Sequence, residues 1–349
     1  MKALVTGANG HIGSHVVRAA LDAGMKPIAF VREKADRRGL AGLDVEVRTG
    51  DILDRASLAR ACEGVDVLFH VAAVYKNFSA NPDDILRPAV EGTKNAIAAA
   101  RAAGVKRLVY TSTGATVGFA ADPKSALTED DFLETAETPY IRGKIEAEKV
   151  VREAAKENGL EIVILNPSGV FGPRDYRLGP ATRGIVGLLQ GDPAFLHMCI
   201  TDVRDVGKAH VLAAQKGEHG RRYLVVGDVM SPVQLRDAYG RLTGIKPATF
   251  TPPRFLLNFL AGRMEKQAAA TGGDANLTRA LVKDAIGRHL VYAGSRSRTE
   301  LGMTYRGGED VIRDAVRWAL FTGALKPKVD AKVRRAMGAA AEPDPDWTK

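Results

Sequence analysis

Short apolar, β-branched runs alternate with amphipathic stretches through the first half of this chain, and that alternation limits the fold more than any other feature. KALVT leads into HIGSHVVRAALDAG, PIAFV into a polar turn, and VEVRT into RASLARACEG. VDVLFH precedes a long helical reach ending in EGTKNAIAAARAAG, and RLVYT and LEIVILNP follow. Apolar residues at i, i+3 and i+4 mark the helices, and the short β-branched runs between them mark strands. Repeated βα units need right-handed crossovers, which give a parallel sheet covered by helices on both faces. The expected class is therefore α/β, a doubly wound Rossmann-type sheet with its ligand at the carboxyl ends of the strands.

After Pro167 the rhythm loosens. The expected division is a nucleotide-binding domain over 1–165 and a smaller, mostly helical substrate lobe over 166–325, interleaved with elements returning to the sheet. A mobile tail is expected over 326–349, where a basic stretch gives way to AAAEPDPDWTK, a composition too poor in apolar residues for a core. RFLLNFLAG (254–262) is apolar on nearly every side. It reads as a core or substrate-pocket helix, with a dimer surface or a shallow membrane contact as alternatives.

Composition excludes several classes. The net charge is +9, but the basic residues are dispersed, which suits an anionic cofactor better than nucleic acid. Cys62 and Cys199 are the only cysteines, so no disulfide framework or CxxC metal spacing exists. The seven histidines show no metal-ligand spacing; His11 and His15, at i and i+4, lack the glutamate of a zinc helix and read as surface or phosphate-proximal. His210 reads as a packed helix residue. No apolar run approaches the about 18 residues of a membrane span. The chain opens on a strand-like run without a leader pattern, so a cytoplasmic location is expected.

The first strand ends in TGANGHIG, with glycines at 7, 10 and 13. Such a loop lets backbone approach a pyrophosphate, and the helix that follows offers its unpaired N–H groups. The alternative is a turn that only joins strand to helix. After the second strand comes VREKADRR. Arg32 stands where an acid would hold the ribose 2′-OH of NAD and where an arginine accommodates a 2′-phosphate, so NADP(H) is preferred, with NAD(H) possible. Lys34, Arg37 and Arg38 add positive charge. Asp51, after the third strand, is either an acceptor for the adenine amino group or a turn residue.

Tyr140 and Lys144 sit four apart in TPYIRGKIEAEKVV, on one face of a helix. TGANGHIG, GDILD, HVAA (70–73), VYTSTGATVG (109–118), Tyr140-x-x-x-Lys144 and NPSGVFGP (166–173) come in an order that resembles the extended short-chain dehydrogenase/reductase family, also called the NAD-dependent epimerase/dehydratase superfamily. VRE after the second strand and RPAVEGTKN (87–95) look most like its dihydroflavonol-4-reductase-like branch. Hopanoid-associated epimerase-like proteins and 3β-hydroxysteroid dehydrogenases are similar by the same pattern.

The resemblance implies a proton donor, Tyr140, and a cation, Lys144, that lowers the phenol pKa from its usual ~10 and reaches the nicotinamide ribose. Thr113 is implied as the hydroxyl that polarises a carbonyl, with Ser112 as the fallback. The implied cofactor contacts begin with Gly7, Asn9, Gly10, His11, Ile12 and Gly13 of the loop. They continue through Arg32, Asp51 and Ile52, then Val71, Ala72 and Ala73, and end with Tyr140, Lys144, Pro167, Ser168 and Val170, with Asn166 beside them. Tyr75 and Phe78 are either a substrate wall or packing residues, and Tyr176 and Arg177 are further candidates to meet substrate. Ala89 stands where many relatives carry an asparagine that supports a water relay.

The implied activity is NADPH-dependent reduction of a ketone or aldehyde, reversible as an alcohol dehydrogenase. The alternatives are a sugar epimerase or dehydratase, a 3β-hydroxysteroid-type dehydrogenase, and a non-catalytic NADP-sensing binding protein. The expected partner is a small apolar carbonyl or alcohol, bound by a monomer or homodimer, with no metal.

Overall fold

The computed structural model describes residues 1–347 of the 349. The chain begins β1 (Lys2–Thr6), α1 (His11–Asp22), β2 (Lys26–Val31), β3 (Glu46–Thr49), α2 (Arg55–Ala61), β4 (Val67–His70). It continues α3 (Asp83–Ala102), β5 (Arg107–Thr111), α4 (Pro139–Ala154) and β6 (Glu161–Pro167). After a short β7 (Val170–Phe171) come α5 (Pro180–Gln190), β8 (Met198–Asp202), α6 (Val203–Lys216), β9 (Arg222–Val225) and β10 (Asp228–Met230). Six helices close the chain: α7 (Pro232–Thr243), α8 (Arg254–Thr271), α9 (Arg279–Ala285), α10 (Ser295–Thr299), α11 (Gly308–Phe321) and α12 (Pro327–Met337).

Seven parallel strands form the main sheet in the order β3-β2-β1-β4-β5-β6-β9. The strand order reverses at β1, next to β4, which opens a crevice beyond the carboxyl ends of that pair. Side chains alternate across a strand, so the inner strands feed two cores, while the edge strand β3 stays largely exposed. Val5, Val31, Phe69 and Val109 pack with Val16, Val17 and Ala20 of α1 and Val206 and Ala209 of α6. Leu4, Phe30, Leu68 and Tyr110 point the other way, against Leu58 of α2, Ala96 and Ala100 of α3 and Ala147 and Val151 of α4. Strands buried on both faces explain why the runs in the sequence are continuously apolar rather than alternating.

β10, β8 and β7 make a small second sheet. Beside it a third core joins Ile185 and Leu189 of α5, Leu235 and Tyr239 of α7, and Val311, Ile312 and Val316 of α11. The segment expected to be a mobile tail is part of this core. Val333 and Met337 of α12 are buried in it, as is Ala341. Trp347 packs edge-on against Trp318 at 5.8 Å and lies under the Arg317 guanidinium at 4.9 Å. The apolar residues of this segment are few, but they recur on one face of a helix, which is enough when a prepared surface receives them. Residues 348 and 349 of the expected tail lie outside the described residues. Trp347→Ala is expected to lower unfolding stability by about 3 kcal/mol, the usual scale for truncating a packed aromatic; denaturant titration of the full chain measures it.

The helix expected in the core is also different. α8 buries only Leu257, Ala261, Gly262 and Ala268, with Leu257 and Ala261 packed against Val282 and Ile286 in a small separate cluster. Phe255, Leu256, Phe259 and Leu260 face out.

Candidate active site

The glycine loop leaves β1 with Gly7 at φ +66°. A Cβ there would come within 2.8 Å of the Ala72 Cα, and one at Gly13 within 2.1 Å of the Gly7 carbonyl oxygen, so these two positions need glycine. Gly10 caps α1 without any side-chain hydrogen bond, and no acid occupies the first turn. An uncapped helix end beyond the carboxyl end of β1 is the arrangement that accepts a diphosphate. Thr6 Oγ1 fixes the neighbouring strand end by accepting from Val71 N at 3.1 Å and Ala72 N at 3.2 Å. Asn9 Nδ2 donates to the Asp36 carbonyl at 2.8 Å, which ties the loop to the segment after β2. Arg32 and Lys34 in that segment are exposed. Arg38 pairs with Asp36 and lies over the Tyr176 ring at 4.8 Å.

Several expected cofactor residues are placed by packing. Ile52 lies against Gly92 of α3, and its carbonyl accepts from Asn95 Nδ2 at 2.9 Å. Asp51 is turned on its own loop, where Oδ1 accepts from Leu53 N at 2.8 Å. Val170 and Ile12 both pack against the core that holds α1. Pro167 is buried as the last residue of β6, beside Val225. The Ser168 side chain packs against Gly114 and is 6 % exposed. His11 is half buried, and burial lowers its pKa. His15 is not at the surface: it is buried, with Nε2 3.1 Å from the Pro173 carbonyl oxygen. His210 is fully buried and its Nε2 lies 2.7 Å from Thr111 Oγ1.

Pro139 at the first turn starts α4, which places Tyr140 at its beginning and Lys144 one turn on. The N-terminus of α4 is held from elsewhere: Asp284 of α9 accepts from the backbone amides of Glu137 and Thr138 at 3.0 and 2.8 Å and from the Thr138 hydroxyl at 2.6 Å. The Tyr140 ring stands 4.9 Å from the Tyr75 ring, and Thr113 Oγ1 accepts from the Ala115 amide at 3.3 Å. Burial pushes the phenol pKa up, Tyr75 adds to the rise, and the Thr113 hydroxyl opposes it. This departs from the expected lowering by Lys144. Lys144 Nζ donates instead to the Thr111 carbonyl oxygen at 2.7 Å and lies 5.2 Å from the Tyr110 ring centroid. Burial pulls its pKa down to about 8, against the Glu148 carboxylate, which favours the ammonium.

Ser112 does not meet the cleft. Its hydroxyl donates to Glu148 Oε2, and it is 4 % exposed. The same oxygen accepts from Thr116 Oγ1 at 2.8 Å and Asn166 Nδ2 at 3.0 Å, while Oε1 pairs with Arg222 Nε at 2.7 Å. Asn166, expected beside the nicotinamide, therefore belongs to this buried network. Glu148 and Arg222 escaped the reading of the sequence. The available signal was the spacing Tyr140, Lys144, Glu148, four apart each time, but a glutamate on a helix is ordinarily solvated. Ala89 packs against Gly143, where a Cβ would come within 3.2 Å of its own, so α3 and α4 approach closely at the position of the expected relay residue.

Tyr75 is 47 % exposed and also touches Gly179 at the start of α5. Phe78 N donates to Asp274 Oδ1 at 2.9 Å, which holds its loop against the segment after α8. The Tyr176 ring packs edge-on against Trp318 at 5.0 Å and lies under Arg38. Among the described residues no group of His, Cys, Asp and Glu could hold a metal ion, and no helix is long and apolar enough to cross a membrane.

This geometry agrees with what the chain is similar to. The profile of the NAD dependent epimerase/dehydratase family matches residues 3–226. Sterol demethylase protein B of Methylococcus capsulatus is 35 % identical over 345 residues, covering 91 % of this chain and 98 % of that one. A Synechocystis sp. protein named after dihydroflavonol 4-reductase is 31 % identical over 332 residues, covering 92 % and 95 %. The crystal structure of gox2253 superposes with a TM-score of 0.80 at 30 % identity, covering 93 % of this chain and 99 % of its own. With its seven-stranded parallel sheet, uncapped glycine loop and Tyr140–Lys144 pair at the strand ends, the chain belongs to the NAD dependent epimerase/dehydratase family, the extended short-chain dehydrogenases/reductases, and is an NAD(P)-dependent oxidoreductase.

Proposed function

We propose that the protein is an NADPH-dependent reductase of a ketone or aldehyde, reversible as an alcohol dehydrogenase. The observation that carries this reading is Tyr140, a phenol at the start of α4 kept protonated by burial, beside the Tyr75 ring and one turn from Lys144. When bound, the nicotinamide supplies the hydride. Tyr140 gives its proton to the carbonyl oxygen as that oxygen gains negative charge, and Thr113 holds the same oxygen in line by donating to it. Lys144, anchored on the Thr111 carbonyl, carries positive charge toward the phenol and the ribose hydroxyls, and so favours the tyrosinate left after transfer. Gly7, Gly10 and Gly13, with the first amides of α1, receive the diphosphate. Arg32, exposed at the end of β2, receives the 2′-phosphate, with Lys34 beside it. Tyr75 and Phe78 form one wall of the substrate site, which suits an apolar carbonyl compound.

A panel of aromatic and alicyclic ketones and aldehydes, followed by loss of NADPH absorbance, tests the reading. Turnover is expected with NADPH in preference to NADH. Arg32→Glu is expected to shift that preference toward NADH by about 10–100-fold, the worth of one charge-assisted hydrogen bond. Interconversion of nucleotide sugars without net consumption of cofactor, and no turnover on the carbonyl panel, sinks it.

A further inference from the structure

We propose that α8 is a docking helix that seats the protein on an anionic lipid surface. Phe255, Leu256, Phe259 and Leu260 are 77, 39, 61 and 41 % exposed, and Phe250 in the segment leading into the helix is 59 % exposed. Positions i, i+1, i+4 and i+5 share one side of a helix, so the four side chains form a single apolar strip. The opposite side already has its partner in Val282 and Ile286. Folding therefore offers nothing further to cover the strip.

The charges on the helix select the occupant. Arg254 precedes the strip, and Arg263 and Lys266 follow it. Arg263 and Lys266 form no ion pair among the described residues and are exposed. The one acid of the helix, Glu265, is turned away to accept from the Arg279 amide at 2.7 Å. Exposed aromatic rings flanked by unpaired cations match a bilayer boundary: the rings enter the acyl region and the long basic side chains reach the phosphates. A second copy of this chain fits less well. The exposed part of the five apolar residues comes to roughly 500 Å², against about 800 Å² per partner for a stable interface, and two copies would bring like charges together.

The helix also borders the site. After α8 the chain turns through Asp274 and Asn276, which hold the loop of Phe78 and Asn77 by hydrogen bonds at 2.9 and 3.3 Å. α9, packed on α8, caps the helix of Tyr140 through Asp284. A surface bound at α8 thus lies one segment away from the substrate loop. This inference concerns the surface alone and stands or falls apart from the reaction proposed above.

Co-sedimentation of the full chain with phosphatidylcholine vesicles, and with vesicles that also contain phosphatidylglycerol, tests it at low and high salt. Binding is expected only to the anionic vesicles and is expected to weaken with salt. Arg263→Gln with Lys266→Gln is expected to weaken it about 10–30-fold, and Phe255→Ser with Phe259→Ser to abolish it. All four side chains are exposed, so both double variants are expected to keep the circular dichroism spectrum of the parent. Three results overturn the proposal: no sedimentation with anionic vesicles at low salt, sedimentation unchanged in the phenylalanine variant, or a dimer in sedimentation equilibrium that this variant makes monomeric.

Discussion

Tyr140→Phe is expected to lower kcat about 10²–10⁴-fold, the range that a positioned proton donor contributes. The substitution removes one oxygen. The phenylalanine ring keeps the packing against Tyr75, where the centroids are 4.9 Å apart. The Lys144 bond to the Thr111 carbonyl does not involve the phenol and persists. Cofactor affinity, read by fluorescence titration, is therefore expected to stay at the level of the unsubstituted enzyme, and the loss to appear in kcat. Stability is expected to change by about 1 kcal/mol or less, since only one hydroxyl is lost and the ring packing is kept. A variant that keeps more than about a tenth of the parent kcat, well outside the range for a lost proton donor, would show that another group donates the proton.

The second large effect is expected at a residue that touches neither substrate nor cofactor in the proposed reaction. Glu148→Gln removes the charge that faces Arg222 across 2.7 Å in a fully buried place. Leaving one partner of a buried pair uncompensated costs about 3–5 kcal/mol of unfolding stability. Replacing both partners by apolar residues is often neutral for an isolated pair, but here it is not expected to be. The Glu148 carboxylate also accepts from Ser112, Thr116 and Asn166, and these donors would lose their acceptor.

Glu148→Gln also has a signature that loss of stability does not mimic. Lys144 titrates at about 8, pulled down by burial and held up in part by Glu148. The ammonium is present below that value and is lost as pH rises through it. If the reaction uses the ammonium, kcat/KM falls above about pH 8 in the unsubstituted enzyme. In Glu148→Gln the supporting charge is gone, so the same fall moves to lower pH. A pH profile measured well below the unfolding temperature of the variant separates this shift from simple instability. An unchanged profile would detach Glu148 from Lys144.

Several residues owe their placement to partners that the sequence does not put nearby. Ser112 and Thr113 are adjacent hydroxyls after β5, and residues in an extended segment alternate between faces. The resemblance put Thr113 first and Ser112 second, but no local pattern shows that Ser112 meets a buried carboxylate of α4. Ser112 turns to Glu148, and that choice depends on how α4 lies across the strand end. Asn166 and Ser168 were expected beside the cofactor because they follow a strand at the carboxyl edge. In the fold Asn166 is held by Glu148, and the Ser168 side chain lies against Gly114. Tyr176 looked like a substrate residue from its place after a loop, yet Trp318, far along the chain, holds it. The terminal segment looked mobile because its own apolar residues are sparse. The α7–α11 core supplied the surface that α12 alone lacks.

By itself the sequence determined whatever rests on short-range spacing. The βα rhythm set the parallel sheet, because period-two and period-3.6 patterns are read within a few residues. The glycines at 7 and 13 set the loop, because only glycine has room there. The four-residue step from Tyr140 to Lys144 set one helical face. Only the tertiary structure decided what Lys144 holds, that Ser112 turns to Glu148, that Glu148 finds Arg222, and that the apolar helix α8 turns its phenylalanines outward. The physical reason is common to all four. Burial and pairing are set by partners distant in sequence, and free energies of a few kcal/mol at buried charges depend on contacts that no local pattern contains.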